Sequence, residues 1–200
     1  MNAKAMTNKA LLMTLLGGYG ESLSKMPLSE VFGFTAPRQA TLTMMNETAA
    51  EYVVFPQIAA AKELMRRACE EHLQDAPVMS APEVVKDFLR TIFAGKEKEV
   101  FVCMWLDTQY KLIACDEMFN GTLSETSVYP REVVKRALHH NAGAVMIAHN
   151  HPSGNATPST ADKMLTQRLK EALSMVGVRL LDHFVVAGVS ITSFAESGAL

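Results

Sequence analysis

Residues 144–148 read "AVMIA", a continuously apolar run. Such a run suits a strand covered on both faces, because a strand with one wet face would alternate apolar and polar residues. The stretch before it, "YPREVVKRALHHNAG", predicts a helix: Pro130 sits at a first helical position, Val133, Val134, Ala137 and Leu138 form an apolar stripe, and the exit contains glycine. The stretch after it, "STADKMLTQRLKEALSMVG", predicts a second helix, leading to the strand patterns "RLLDHFVVAG" and "VSITSF". Upstream, "EVFVCMWLD" and "YKLIACDEMFNG" are β-rich runs separated by the turn-like "DTQ", which predicts a hairpin. Before these, the Pro-punctuated joint "DAPVMSAPEVV" leads into a helix from Pro82 to about Ala94. The order helix, two strands, helix, strand, helix, strands predicts an α/β fold with a mixed sheet flanked by helices.

The earlier part of the chain has a different texture. Short helical patterns punctuated by glycine and proline ("NKALLMTLL", "GGYGES", "PLSEVFGF", "APRQATLTMMNETAAEY") close on "FPQIAAAKELMRRACEEHLQ". There Ile58, Leu64 and Ala68 fall at helical spacing, and Lys62, Arg66 and Arg67 are left for an outer face. With 200 residues available, the chain divides into a small all-helical N-terminal domain over 1–75 and a larger domain over 80–200. A net charge of −2 and a pI near 6.3 provide no global basic field for nucleic acid. Cys69, Cys103 and Cys115 are too few and too scattered for a Cys-rich zinc module and fit a reducing compartment. The run "ALLMTLLGG", after Lys4 and Lys9, has a short apolar core and no clear cleavage site, and no run reaches the roughly 20 apolar residues of a membrane span. The expectation is a cytoplasmic protein with no membrane segment.

Chemistry concentrates in "AHNHPSGNATPSTAD", residues 148–162. If the strand stays extended through His151, the imidazoles of His149 and His151 project to the same side. Pro152 and Gly154 then turn the chain, and Asp162 can bring an oxygen ligand. A set of two nitrogens and one oxygen leaves a fourth tetrahedral position open, the arrangement zinc hydrolases use. Ser159 and Asp162 also read as a helix N-cap with its acidic N3 partner. The two readings are compatible, since a ligand in a helix's first turn is rigidly placed.

"HNHPSGNATPSTAD" resembles the H-x-H-P, Ser, x-x-Asp signature of the JAMM (MPN/JAB) metal-dependent hydrolases, with His149, His151, Ser159 and Asp162 in register. The run from "EVFVCMWLD" to "FAESGAL" resembles the bacterial RadC family over nearly all of 80–200. The resemblance implies a JAB1/MPN-like (cytidine-deaminase-like) fold and a Zn2+ site of His149, His151 and Asp162. It implies a metallohydrolase, a peptidase or isopeptidase working on a peptide or protein substrate through metal-activated water. It assigns the general base to Glu99 in "KEKEVFV", with Glu97 and Glu117 as alternatives, and gives Ser159 a hydrogen bond to the oxyanion. The family's name implies a second reading, a DNA-associated accessory protein of repair or recombination. "FPQIAAAKELMRRA" resembles the last helix of a helix-hairpin-helix, but "NETAAEYVVFPQ" lacks the glycines whose N–H groups would meet phosphate, so that element is degenerate. Among other polar residues, His139 and His140 are expected at a helix end rather than on a metal. His183 is expected to be packed and hydrogen-bonded, with Asp182 orienting it or a metal-bound histidine. Asn150 is expected to face away from the histidines as a turn stabiliser.

Overall fold

The computed structural model describes residues 6–34, 56–121 and 128–200. Helices α1 (Asn8–Leu16), α2 (Tyr19–Leu23) and α3 (Leu28–Val31) precede the long α4 (Pro56–Asp75). Thr7 caps α1 by accepting from the Ala10 N–H. Gly20 lets α2 lie directly on α1, because a Cβ there would come within 2.4 Å of the Leu12 and Met13 backbone. Leu12, Leu16, Leu23 and Val31 enclose a small apolar cluster with Ile58 of α4, while Leu73, near the other end of α4, joins the core under the sheet. The cations of α4 are held by partners. Arg66 is paired with Glu63 and Glu70, Arg67 with Glu63, and Lys62 is half-buried with its ammonium directed at the Ala94 carbonyl. The expected helix-hairpin-helix segment "NETAAEYVVFPQ" lies, except for Pro56 and Gln57, outside the described residues.

A one-turn 3-10 helix (Val78–Ser80) leads to α5 (Pro82–Phe93), β1 (Val100–Leu106), β2 (Leu112–Asn120), α6 (Pro130–His139), β3 (Ala144–Asn150), α7 (Thr160–Ser174), β4 (Arg179–Ala187) and β5 (Ser190–Ser193). The sheet order is β2-β1-β3-β4-β5. β3 and β4 are parallel and the other neighbours antiparallel, a mixed sheet with helices on both faces as expected. The hairpin loop is closed by Asp107, whose Oδ1 accepts from the N–H groups of Gln109 and Lys111. At the exit from α6, Asn141 takes the left-handed conformation (φ 51°), two residues before Gly143. Gly143 serves another purpose, since a Cβ there would press against Thr108 of the hairpin loop at 3.1–3.3 Å.

Strand alternation sorts side chains between two cores. Val102 and Met104 of β1, Met146 and Ala148 of β3, and Phe184 and Val186 of β4 pack with Phe88, Leu89 and Leu73. Phe101, Cys103 and Trp105, together with Val145 and Ile147, face Val133, Ala137, Leu165 and Leu169 of α6 and α7. By this alternation His149 falls on the α6/α7 side and Asn150 on the α5 side. β4 carries one extra residue, because Val145 pairs with Leu180 while Met146 pairs with Asp182. This bulge at Leu181 re-aims the rest of the strand. His183 therefore pairs with Ile147 and lies on the same side as His149. No helix among the described residues is long and apolar enough to cross a membrane.

Candidate metal centre

β3 delivers His149, fully buried, and the His151 N–H donates to the Val186 carbonyl at 2.8 Å, continuing the β4 pairing one residue past the strand. The two imidazoles consequently share a side, with their Nε2 atoms 3.0 Å apart. Gly154, at φ 82°, turns the chain back, and Ser159 starts α7 with a complete capping box. In that box Asp162 Oδ2 accepts from the Ser159 N–H (2.7 Å) and hydroxyl (2.8 Å), and Ser159 Oγ accepts from the Asp162 N–H (3.2 Å). Asp162 Oδ1 has no hydrogen-bond partner among the described residues, although it is buried. It faces His149 Nε2 at 3.3 Å, and Oδ2 lies 3.6 Å from His151 Nε2.

The hydrogens can be assigned from the partners. His151 Nδ1 lies 2.7 Å from the Asn155 carbonyl, which can only accept, so this nitrogen carries the hydrogen and a neutral His151 has a bare Nε2. His149 Nδ1 lies 2.9 Å from His183 Nε2, so with the hydrogen at Nδ1 a neutral His149 also presents a bare Nε2. Two imidazole lone pairs and the orphaned Asp162 Oδ1 then face one point. Lone pairs so arranged repel unless a cation lies among them. The site fits zinc: bonds of about 2.0–2.1 Å in tetrahedral array set neighbouring ligand atoms roughly 3.3 Å apart, against 3.0 Å and 3.3 Å here. Burial pushes the Asp162 carboxyl up; a protonated His149 beside it, together with the Ser159 groups on Oδ2, outweighs this and holds it well below the usual carboxylate range, whereas beside a neutral His149 only the Ser159 groups oppose burial.

Glu99 immediately precedes β1, whose Phe101 pairs with His149. It is half-buried and lines a cleft with Val100, Phe101, Phe119, Gly121, Val128 and His149. Of the two alternatives, Glu97 is exposed and Glu117 is ion-paired with Lys96 at 2.6 Å; neither lines that cleft. His149, His151 and Asp162 are thus brought together, Ser159 is bonded to Asp162, and Glu99 lines the same cleft as His149.

Three side chains behave differently from expectation. Asn150 faces away from the histidines but does not stabilise its own turn. Its Oδ1 accepts from the Val100 N–H (2.7 Å) and its amide donates to the carbonyls of Lys98 (3.1 Å) and Lys96 (3.4 Å), clamping the segment that carries Glu99. Asp182 orients no imidazole. It accepts from the backbone N–H groups of His183 and Ala195 and from the Ser193 hydroxyl, tying down the turn after β5. His183 is packed, as expected, but it also touches His149, and its Nδ1 lies 2.7 Å from Thr166 Oγ1. Sequence reasoning missed Thr166; its place four residues after Asp162, on the same helical face, was the available signal. His140 bonds Asp116 and stacks on Trp105, away from the cluster. Burial pushes the Cys115 thiol up to about 12 and the Cys103 thiol well up, away from the nucleophilic thiolate.

Comparison with known proteins identifies the family. The family model described as a RadC-like JAB domain matches residues 79–199. A UPF0758 protein of Nitrosospira multiformis is 57% identical over 146 residues, covering 73% of this chain and 65% of the relative. A UPF0758 protein of Cupriavidus pinatubonensis is 48% identical over 167 residues, covering 84% and 72%. The chain spans about 65% of the length of the first of these relatives.

Proposed function

Because the chain belongs to the RadC-like JAB-domain family, we propose that it is a zinc-dependent hydrolase of amide bonds, a peptidase or isopeptidase. The observation that carries this reading is the convergence of His149 Nε2, His151 Nε2 and Asp162 Oδ1, with no hydrogen of a neutral imidazole between them. These residues would hold Zn2+, which when bound supplies Lewis acidity and draws the pKa of water down toward about 7.

The chain's own residues supply the rest. Glu99, which lines the cleft, takes a proton from water on its carboxylate and returns it to the leaving amine nitrogen. Asn150 fixes the backbone that carries Glu99. Ser159 has one hydroxyl hydrogen, and it lies on Asp162 Oδ2. Ser159 therefore holds a ligand in place, and donation to an oxyanion requires that hydroxyl to rotate while the Ser159 N–H keeps its own bond to Oδ2. The apolar walls formed by Phe101, Phe119 and Val128 suit a peptide or protein segment with an apolar side chain beside the scissile bond. The DNA-associated reading has less behind it, since Arg66 and Arg67 already spend their guanidinium groups on Glu63 and Glu70.

The test is metal content per chain in the wild type and in His151→Ala. Near-stoichiometric zinc in the first and its loss in the second is the expected result. Zinc retained at one per chain by the variant would sink the assignment. Retention on DNA even at low salt, falling steeply as salt rises, would revive the alternative.

A further inference from the structure

Resting on the zinc reading, we infer that Thr166 and His183 form a hydrogen-bond relay that fixes the tautomer of His149 and keeps its Nε2 free for the metal. Both are positioning residues. The direction of the relay follows from counting hydrogens. Thr166 Oγ1 has two close partners, the Asp162 carbonyl at 2.6 Å and His183 Nδ1 at 2.7 Å, and one hydrogen to share between them. A carbonyl cannot donate, so the hydroxyl hydrogen goes to Asp162 and Oγ1 accepts from His183 Nδ1–H. An uncharged His183 then has a lone pair at Nε2, 2.9 Å from His149 Nδ1, and His149 must donate there. Its remaining nitrogen, Nε2, is left bare toward His151 and Asp162.

The reverse order would break the 2.6 Å bond to the Asp162 carbonyl. It would also put a hydrogen on His149 Nε2, in the space where the ligand atoms meet. The His183 ring is held against rotation by Phe194, stacked at 4.6 Å, and by Phe101, edge-on at 6.2 Å. It is fully buried, and so is Thr166. The relay also closes on itself. It ends at the backbone of Asp162, the residue whose carboxylate faces His149 Nε2, so one element of α7 orients both an oxygen donor and a nitrogen donor. Partners of this kind set the orientation and basicity of a ligating imidazole.

The experiment uses the full chain and four proteins: wild type, Thr166→Val, His183→Leu and His183→Gln. Zinc affinity is measured by competition with a chelator. Long-range nitrogen-proton NMR of the zinc-free proteins reports which ring nitrogens carry hydrogen, and zinc-free melting midpoints report folding. Wild type should bind zinc and show both His183 and His149 protonated at Nδ1. Thr166→Val and His183→Leu should bind zinc roughly 10–100-fold more weakly. His183→Gln, whose amide oxygen can accept from His149 Nδ1–H, should recover most of that loss although it disrupts the same packing. Wild-type affinity in both Thr166→Val and His183→Leu, or a hydrogen on His183 Nε2 in the wild type, overturns the relay. If His183→Leu does not fold, Thr166→Val, which removes only the hydroxyl, decides the affinity arm. A wild type that takes up no zinc overturns the metal reading instead, and the nitrogen pattern still reports the direction of the relay.

Discussion

Replacing Ser159 with alanine separates the hydroxyl's work on the helix from its work on the ligand. That oxygen accepts from the Asp162 N–H at 3.2 Å, a long cap bond, and donates to Asp162 Oδ2 at 2.8 Å. Loss of a serine cap costs roughly 0.5–2 kcal/mol. The Ser159 N–H still holds Oδ2 at 2.7 Å, so the carboxylate is not abandoned and a figure of about 1–2 kcal/mol is expected. At about 2–4 °C per kcal/mol for a chain of this size, the zinc-free melting midpoint should fall by roughly 2–8 °C. Zinc affinity should fall about tenfold, the lower end for loss of a ligand's hydrogen-bond partner, because one of two such partners remains. Ser159→Gly provides the control: glycine is tolerated at an N-cap at a cost of only a few tenths of a kcal/mol, yet it removes the same hydrogen from Oδ2. Its midpoint should stay near wild type while its zinc affinity drops like that of alanine. If Ser159→Ala leaves both the midpoint and the affinity unchanged, the hydroxyl is not committed to Asp162 and the reasoning fails.

Asp162→Asn should abolish zinc uptake yet leave the zinc-free protein as stable or about 1 kcal/mol more stable, because an amide N–H in place of Oδ1 can donate to His149 Nε2; calorimetry under chelation checks this, and marked destabilisation would contradict it. Asn150→Ala should cost about 1–3 kcal/mol by stranding the buried Val100 N–H, visible as a lower denaturation midpoint with zinc affinity nearly unchanged. Asp116 is held well below the usual carboxylate range, chiefly by Arg136, with the Trp105 and His140 ring N–H groups adding to it. A lowered folded value means its contribution is fully present above the unfolded value of about 3.9 and is lost as pH falls through the folded one. Melting midpoints followed from roughly pH 5 to pH 2 should therefore fall less steeply in Asp116→Asn than in wild type.

The parts of this molecule that were legible in the sequence are those specified locally. "AVMIA" suited a covered strand, Pro130 and Ser159 announced helix starts, and the H-x-H spacing put two imidazoles on one side as soon as β3 was extended. Asp162 was reachable for the same reason, as the third residue of a capped helix. Glu99 came only through family resemblance, because its approach to His149 depends on the pairing of β1 with β3 across some fifty residues of chain. Asn150 was expected to serve its own turn, since nothing nearby in sequence shows that the start of β1 lies within reach of its amide. His183 was legible as a packed residue but not as a neighbour of His149, because that contact depends on the parallel register of β3 and β4 and on the bulge within it.

The extra residue at Leu181 makes side-chain orientation in β4 a matter of parity. Upstream of it, Leu180 points into the α6/α7 core; downstream, odd-numbered His183 does so, with Phe184 and Val186 turned the other way. Regular alternation through Leu181, with no bulge, would leave every residue of the metal cluster and its relay in the chain while exchanging the two faces of the strand's second half. Phenylalanine would then stand against His149, and the imidazole would be buried among the apolar side chains under α5. The histidine's role is thus encoded in the irregularity of its strand as much as in its own identity, and a survey of site residues alone would score a straightened strand as intact.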